Sequence, residues 1–465
     1  MKKQIAAALS AALIFTAAVS CGETPAVSQF TASDNTSSQS QQKTSSSSTV
    51  YALQLGSSET DLSTPVNSFN AKNEDFQIAL NVYSDATDKY DDKAYERLME
   101  DIADKSAPDV VIASPDKIKA LKDQGLLADL APLMDNGDGI KKTDILGNVI
   151  DSVSENGSIY ALYNSFIIDT AAVKASRYDE SFTNWSPQQA VDAYAELPAG
   201  SEFLYMQWTN GEIYNFFTKL FAYECVDTEN RTCDFSPLRE LFTFLKSKPG
   251  ITDRSRAMAG MEPDESSRFL AEMQNKLIND QALVNRITIN GINQWYPVDR
   301  SHFGGADITF TGFPNIYGNG AYTNVDMMFG ILESSTEKEA AWKFVSSLFD
   351  EKSQVEKGLA GKGIPVLASA VDKLAYHTDS ETTGSILVPC IRPDTGELYV
   401  ITGPEVDQLV QYITTVVLRP WHDEGINRII EEECLALANS EINPEICLSH
   451  LNNRVNKYYE EHKGE

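Results

Sequence analysis

From Tyr51 onward the chain alternates short apolar runs with helical segments, and this order of elements restricts the fold more than any other feature. Tyr51–Leu55 reads as a strand closed by Gly56, Asp61–Ala71 as a helix, and Phe76–Tyr83 as a second strand. A helix over Asp91–Ala103 precedes Pro108-Asp109, which introduces the apolar strand Val110–Ala113; the next helix, Asp116–Gln124, stops at Gly125. Apolar strands that alternate with helices make α/β folds with largely parallel sheets covered on both faces. Ligands of such sheets gather beyond the carboxyl ends of the strands. Ser57 and Ser58, just past the first strand, are therefore candidate ligand contacts.

The body from Val50 to Glu465 is too long for one ordinary domain and implies two. Hydrophobic residues make up 42% of the sequence, enough for real cores. The balance of 67 Asp and Glu against 38 Lys and Arg, net −29, argues against nucleic acid and anionic lipid headgroups as partners. Further along, Arg286–Asn290 and Ala306–Phe313 are strand-like and closed by Gly291 and Pro314. Trp295 and Tyr296 follow the first, and a loop holding Tyr317, Asn319, Tyr322 and Asn324 among glycines follows the second. Large aromatics on loops at strand ends suit a ligand cleft, although Trp295 equally suits a cap over a core. Thr336 and Glu339 form a T-x-x-E capping pattern. Ala341, Trp342, Val345, Leu348 and Phe349 follow at helical spacing, which makes Trp342 a core residue.

In order and character these parts resemble the extracellular solute-binding proteins of ABC importers, the maltose-binding group in particular. The resemblance rests on the ITING run Ile287–Gly291 followed by Trp295, the Pro-ended strand, the glycine-bearing loop and the helix EKEAAWKFVSSLF at Glu337–Phe349. It rests equally on PDVVIASPDKIKALKDQGLLADLAPL from Pro108, with its PD-strand, helix and G-L-L-x-x-L run. Trp295 lies four residues past Gly291, later than the aromatic of the family. The resemblance implies a periplasmic-binding-protein-like fold, with two α/β lobes joined by a multi-strand hinge and a cleft between them. It assigns residues 50–160 and 327–363 to one lobe, 161–326 and 364–465 to the other. It makes Asp116 and Lys117 contacts of sugar hydroxyls, although Asp116 also suits a helix N-terminus on electrostatic grounds. NGSIYALYN, Asn156–Asn164, resembles the first crossing between lobes, with Tyr163 in place of the usual Pro; Tyr163, Asn164 and Ser165 become cleft candidates. EFLYMQWTNG, Glu202–Gly211, resembles a strand end that carries contacts, which singles out Gln207, Trp208, Thr209 and Asn210, Trp208 also suiting a place under the helix. Trp185-Ser186-Pro187 resembles a helix start in which the Trp is structural, and GKGIPV, Gly361–Val366, resembles the last crossing.

At the amino end, Lys2 and Lys3 precede Ile5–Val19, an apolar run of about 15 residues, shorter than the ~20 that span a bilayer. It ends in Ala18-Val19-Ser20-Cys21, which resembles a bacterial lipoprotein box, so residues 1–20 read as a signal peptide and Cys21 as the lipidated residue; an ordinary secretory peptide is the alternative. Residues 21–49, rich in Ser, Thr and Gln, read as a flexible tether. Lipid, leash and body describe an exported protein held at the outer face of the cell membrane.

Of the other cysteines, Cys225 and Cys233 flank a turn-rich hairpin, Cys434 and Cys447 flank a helix–helix turn, and Cys390 stands apart; either pair is a possible disulfide outside the cell. No CxxC, G-x-S-x-G, HExxH or Walker A run occurs, the five His are scattered, and MDNGDGI at Met134–Ile140 reads as a turn. No metal or cofactor is expected. The sequence thus describes a monomeric, lipid-anchored binding protein that takes a sugar or oligosaccharide into an interlobe cleft and passes it to an ABC permease. Three alternatives stay open: the same fold serving a peptide or other solute, a sensing module, and an exported glycoside-acting enzyme with paired carboxylates.

Overall fold

Strands followed each by a helix make up the first part of the chain, as the apolar alternation requires. In order come β1 (Ser48–Leu55), α1 (Ser63–Lys72), β2 (Phe76–Tyr83), α2 (Asp92–Ala103), β3 (Val110–Ala113) and α3 (Pro115–Asp123). Two short helices, α4 (Ala131–Asn136) and α5 (Gly147–Val153), lead to the hairpin β4 (Ser154–Glu155) and β5 (Ser158–Ile159). The long strand β6 (Ser165–Lys174) precedes α6 (Pro187–Ala195), β7 (Glu202–Leu204), α7 (Asn210–Cys225), β8 (Val226–Asp227), β9 (Thr232–Cys233), α8 (Arg239–Lys246), α9 (Pro263–Ile278) and β10 (Ala282–Ile289). After β11 (Ile308–Phe310), β12 (Tyr322–Asn324) and β13 (Met328–Ile331) come α10 (Lys338–Ser347), α11 (Glu351–Leu359), β14 (Ile364–Pro365) and α12 (Ala368–Tyr376). The hairpin β15 (Cys390–Ile391) and β16 (Leu398–Tyr399) is followed by α13 (Gly403–Thr415), α14 (Glu424–Ala438) and α15 (Pro444–Glu461). This computed structural model describes residues 48–56, 62–84, 91–176, 185–205, 210–227, 230–246, 258, 260–292, 303–315, 320–376, 390–391, 398–399, 403–421 and 423–462. All of them belong to the unit Ser47–Glu465.

Two main sheets divide ten of these strands between two α/β lobes, and the hairpins β4–β5, β8–β9 and β15–β16 stand apart. The first has the order β13-β3-β1-β2. β1 runs parallel to both β2 and β3, and β13, which arrives from far along the chain, is antiparallel to β3. β3 (VVIA) and β13 (MFGI) are buried at every position, whereas β2 at the edge is partly exposed. Their side chains therefore have to be apolar on both faces, and they are. The second sheet has the order β11-β6-β10-β7, with β12 and β14 also pairing to β6. Ten residues of β6 thus serve four neighbours: β14 at Ser165 and Phe166, β12 at Ile167–Asp169, β10 at Ile168–Ala172 and β11 at Ala172–Lys174. One buried cluster fills the first lobe and the strands around β6, including Val111, Leu162, Phe329 and Trp342; a second, including Trp185, Phe217, Phe242 and Leu451, fills the helical side of the other lobe.

Local signals explain the helix ends that matter for the cleft. α3 has Pro115 in its first turn and ends at Gly125, whose φ of +69° lets its N–H reach the Lys122 carbonyl (2.8 Å) while Leu126 N–H reaches Leu121 (3.0 Å). α6 starts at Ser186, whose hydroxyl accepts from Gln189 N–H (3.2 Å) while the Gln189 side chain accepts from Ser186 N–H (2.8 Å). The capping expected of Thr336 and Glu339 is not what begins α10. Ser335 does this work: its hydroxyl accepts from Glu337 N–H (3.1 Å) and donates to Asp109 (2.6 Å), which fixes the turn one residue earlier. Trp342 and Trp185 are core residues, 1% and 0% exposed, and Trp185 donates to the Gly312 carbonyl (3.1 Å). Among the described residues no helix is long and apolar enough to cross a membrane.

Candidate functional site

Two adjoining cavities, of about 900 and 700 Å³, share Lys119, Asp123, Arg231 and Asp423 and so form one cleft. One wall comes from the first lobe: the start of α2, the exposed face of α3, the end of α5 and the β4–β5 hairpin. The other comes from the second lobe: the end of α7, Leu418, Arg419 and Trp421, the start of α14 and the C-terminal end of α15. Helices α2 and α3 both start just beyond the carboxyl ends of the parallel strands β2 and β3, so their first turns face the opening where α/β sheets bind ligands.

Charges pair across the cleft where those first turns meet α14. Asp92 accepts from Lys117 Nζ (2.5 Å) through one carboxylate oxygen and from Arg428 Nη2 (2.8 Å) through the other, which ties α2 and α3 of one lobe to α14 of the other. Lys117 is buried and also lies 3.4 Å from Asp116. Burial favours a neutral Lys117, but the hydrogen bond to Asp92 and the charges of Asp116 and Asp92 outweigh it and hold the ammonium above its ordinary range. For Asp92, burial works upward, and the hydrogen bonds from Lys117 and Arg428 outweigh it and bring its carboxyl below the usual range. Glu424 goes the other way: burial and the charge of Asp116 push it up, against a smaller pull from Lys219. Burial, helped by the charges of Glu424 and Asp169, raises the Tyr322 phenol.

The larger cavity carries an aromatic floor. Trp421 donates its indole N–H to the Ser152 carbonyl (3.1 Å), and the Lys122 ammonium stands 5.5 Å from its ring centroid. Lys122 is paired with Glu155 (2.6 Å), and Tyr160 lines the same space. Arg419 lies 3.9 Å from Glu224; burial lowers its guanidinium and Glu224 opposes this. Arg231 of the β8–β9 hairpin, where the two cavities join, donates to the carbonyl of His462 (2.7 Å). Such a mixture of ring faces, carboxylates and cations can stack on an apolar ligand face and satisfy several hydroxyls. Among the described residues no group of three or more His, Cys, Asp or Glu is disposed to hold a metal.

The expected contacts divide three ways. Asp116 and Lys117 line the cleft, and Tyr322 lies within the electrostatic reach of Glu424 beside them. Tyr163 does not reach it: the ring is 0% exposed, and its hydroxyl donates to Ser152 Oγ (2.9 Å), whose own proton goes to Val149 (2.7 Å). The ring packs inward, with Phe166 edge-on to it and its hydroxyl satisfied by Ser152. Asn164 serves the hinge, donating to the Leu348 carbonyl (3.1 Å), and Ser165 opens β6. Asn210 begins α7. Ser57, Ser58, Gln207, Trp208, Thr209, Trp295 and the lipidation candidate Cys21 lie outside the described residues. In this structure no disulfide joins Cys225, Cys233, Cys434 or Cys447, and the ladder partner of Cys233 is Val226, not Cys225. Sequence reasoning missed Asp92, Arg231, Trp421, Glu424 and Arg428. A Trp after a Pro between two helices was the available signal for Trp421; the charged residues give none, since acids and bases on helix surfaces are ordinary.

The profile of the bacterial extracellular solute-binding protein family matches residues 65–383. Among solved structures, the chain is similar to the sugar-binding protein MalE from Xanthomonas citri, at 13% identity and a TM-score of 0.54, over 90% of this chain and 98% of that one. It is also similar to an extracellular solute-binding protein family 1 member from Alicyclobacillus acidocaldarius, at 14% identity and a TM-score of 0.51, over 88% and 98%. At such identities the likeness speaks for the fold. No curated protein matches the sequence.

Proposed function

This chain belongs to the bacterial extracellular solute-binding protein family, and from that premise we propose that it captures a sugar or oligosaccharide between its lobes and hands it to an ABC permease. Its place in a family of exported binding proteins supports this, as does the naming of one fold neighbour as sugar-binding. The observation that carries the carbohydrate is the Trp421 ring, held at its edge by Ser152 and bordered by Lys122, in a cavity of about 900 Å³. That volume suits a ligand of more than one sugar ring. Asp116, Lys117, Asp151 and Asn427 stand around the cleft as hydroxyl partners. Ser57, Ser58, Gln207, Trp208, Asn210, Trp295 and Tyr322 complete the proposed site. Solute that touches both walls stabilises the closed arrangement in proportion to its preference for it.

In the same reading residues 50–160 with 327–363 move against 161–326 with 364–465. Lipid on Cys21, after removal of residues 1–20, keeps a monomer at the outer face of the membrane through a tether that ends before residue 48, since Ser48 and Thr49 belong to β1. No turnover of the solute is expected. A second reading, a solute bearing an amine, is favoured by Glu424, whose carboxylate is crowded by Asp116 and would gain from a cation.

The test is a thermal-shift screen of Ser47–Glu465 against mono- and oligosaccharides, peptides and polyamines. A ligand bound only by the folded form adds about 2.7 kcal/mol at a hundredfold excess over Kd. A rise in Tm with one carbohydrate class is the expected result. A rise with peptides or amines alone overturns the sugar and keeps the binding function.

A further inference from the structure

Three helices of the second lobe meet at a sulfur cluster that the cleft does not use. Cys434 on α14 and Cys447 in the first turn of α15 are both 0% exposed and flank the turn between these helices. Cys447 Sγ donates to the Glu433 carbonyl (3.6 Å). Cys434 Sγ lies 3.2 Å from Thr218 Oγ1; the Thr218 proton goes to the Tyr214 carbonyl (2.7 Å), so here the thiol donates. The Cys447 sulfur is near enough to act electrostatically on Cys434, and Tyr214 on α7 lies within the influence of both sulfurs. The pair Cys225 and Cys233 is arranged differently, since Cys233 Sγ donates to the Asn452 carbonyl (3.5 Å) on α15.

We propose that Cys434 and Cys447 are the sites of an intrachain disulfide in the exported protein, bracing α14 against α15. An extracellular setting, given by the family, permits it. One cysteine, as thiolate, attacks a disulfide-bearing oxidant and forms a mixed disulfide with release of one thiol; the second cysteine then displaces the other oxidant sulfur. Both cysteine protons and two electrons leave, and the oxidant departs as two thiols. Burial raises the Cys434 thiol well above its ordinary range, so the exchange takes place before the helices close over the sulfurs. The brace has a use: the first two turns of α14 carry Glu424 and Arg428, and the end of α15 carries Tyr459 with His462 just past it, all on the same wall of the cleft.

The bond is read directly on the full-length chain, exported with its own leader, alkylated in denaturant before any reduction and mapped by mass spectrometry. The expected product is one peptide pair joining Cys434 to Cys447, two hydrogens lighter than its separate parts, which separates on reduction. In Cys434→Ser, Cys447 becomes alkylatable. Alkyl groups on both cysteines of the unreduced wild type, or a bridge from either to another cysteine, overturns the proposal. Reduction should lower Tm by several degrees in the wild type and leave Cys434→Ser/Cys447→Ser unmoved; an unchanged wild-type Tm overturns the bracing role.

Discussion

Replacing Asp92 by Asn tests whether the charges at the mouth of the cleft hold the lobes together. The side chains of Asp92 and Arg428 are 44% and 39% exposed, so water and salt screen that pair, and its share is about 0.5 kcal/mol. Lys117 is another matter, with a side chain only 9% exposed. Without the Asp92 carboxylate it keeps Asp116 at 3.4 Å as a poorer partner. A lost hydrogen bond to a charged group costs roughly 1.5–3 kcal/mol, and Asp116 keeps the loss near the lower end. The expected destabilisation at pH 7 is therefore about 2 kcal/mol, measured as a fall in the urea midpoint at unchanged slope. The pH dependence gives an independent check. Because the folded carboxyl lies below its unfolded value of about 3.9, its contribution is full above that value and is lost as pH falls through the folded one. The Asp92→Asn variant and the wild type should thus differ fully at pH 6–7 and converge below about pH 4. A difference under about 0.5 kcal/mol at pH 7, or one that persists unchanged to pH 3, would refute the reasoning.

Two further outcomes can be stated. Trp421→Ala should weaken the best carbohydrate ligand about tenfold or more by calorimetry, from lost ring contact and stacking, while Trp421→Phe retains most of the affinity; equal affinity for all three would remove Trp421 from the site. Glu424→Gln should stabilise the protein at pH 7 by a few tenths to about 1 kcal/mol, because its carboxyl is raised in the folded state: ionisation costs stability as pH rises through the ordinary glutamate range and beyond. Urea midpoints at pH 7 and pH 4 check this, the gain vanishing at the lower pH; destabilisation at pH 7 would count against the assignment.

The strands were legible where burial on both faces leaves no choice of residue. β2 and β3 coincide with the expected Phe76–Tyr83 and Val110–Ala113. β1 starts earlier than Tyr51 because Ser48 and Thr49 pair with Phe76 and Gln77, and a ladder gained by polar residues leaves no apolar trace. β11 is shorter than Ala306–Phe313 because Gly312, at φ +68°, turns its N–H to the Ala171 carbonyl (3.1 Å) and leaves the ladder. In the cleft, Asp116 and Lys117 were legible because strand, turn and helix start are contiguous. Asp92 and Arg428, 336 positions apart, become neighbours only when the lobes meet. Tyr163 misled because an aromatic beside Asn and Ser reads alike whether its ring faces a solute or a Phe.

β6 has a mechanical consequence. The chain passes between the sheets just before Ser165, between Asn324 and Met328, and just before Ile364. All three passages are fastened to the first five residues of β6: one is its own start, and the others are held by β12 and β14. Bodies joined by three straps pinned along one short line keep a single soft rotation, since twisting or sliding would have to pull a ladder apart. On the proposed function, the trajectory of opening is then a property of the empty protein, and a solute determines only how far along that arc the lobes come to rest.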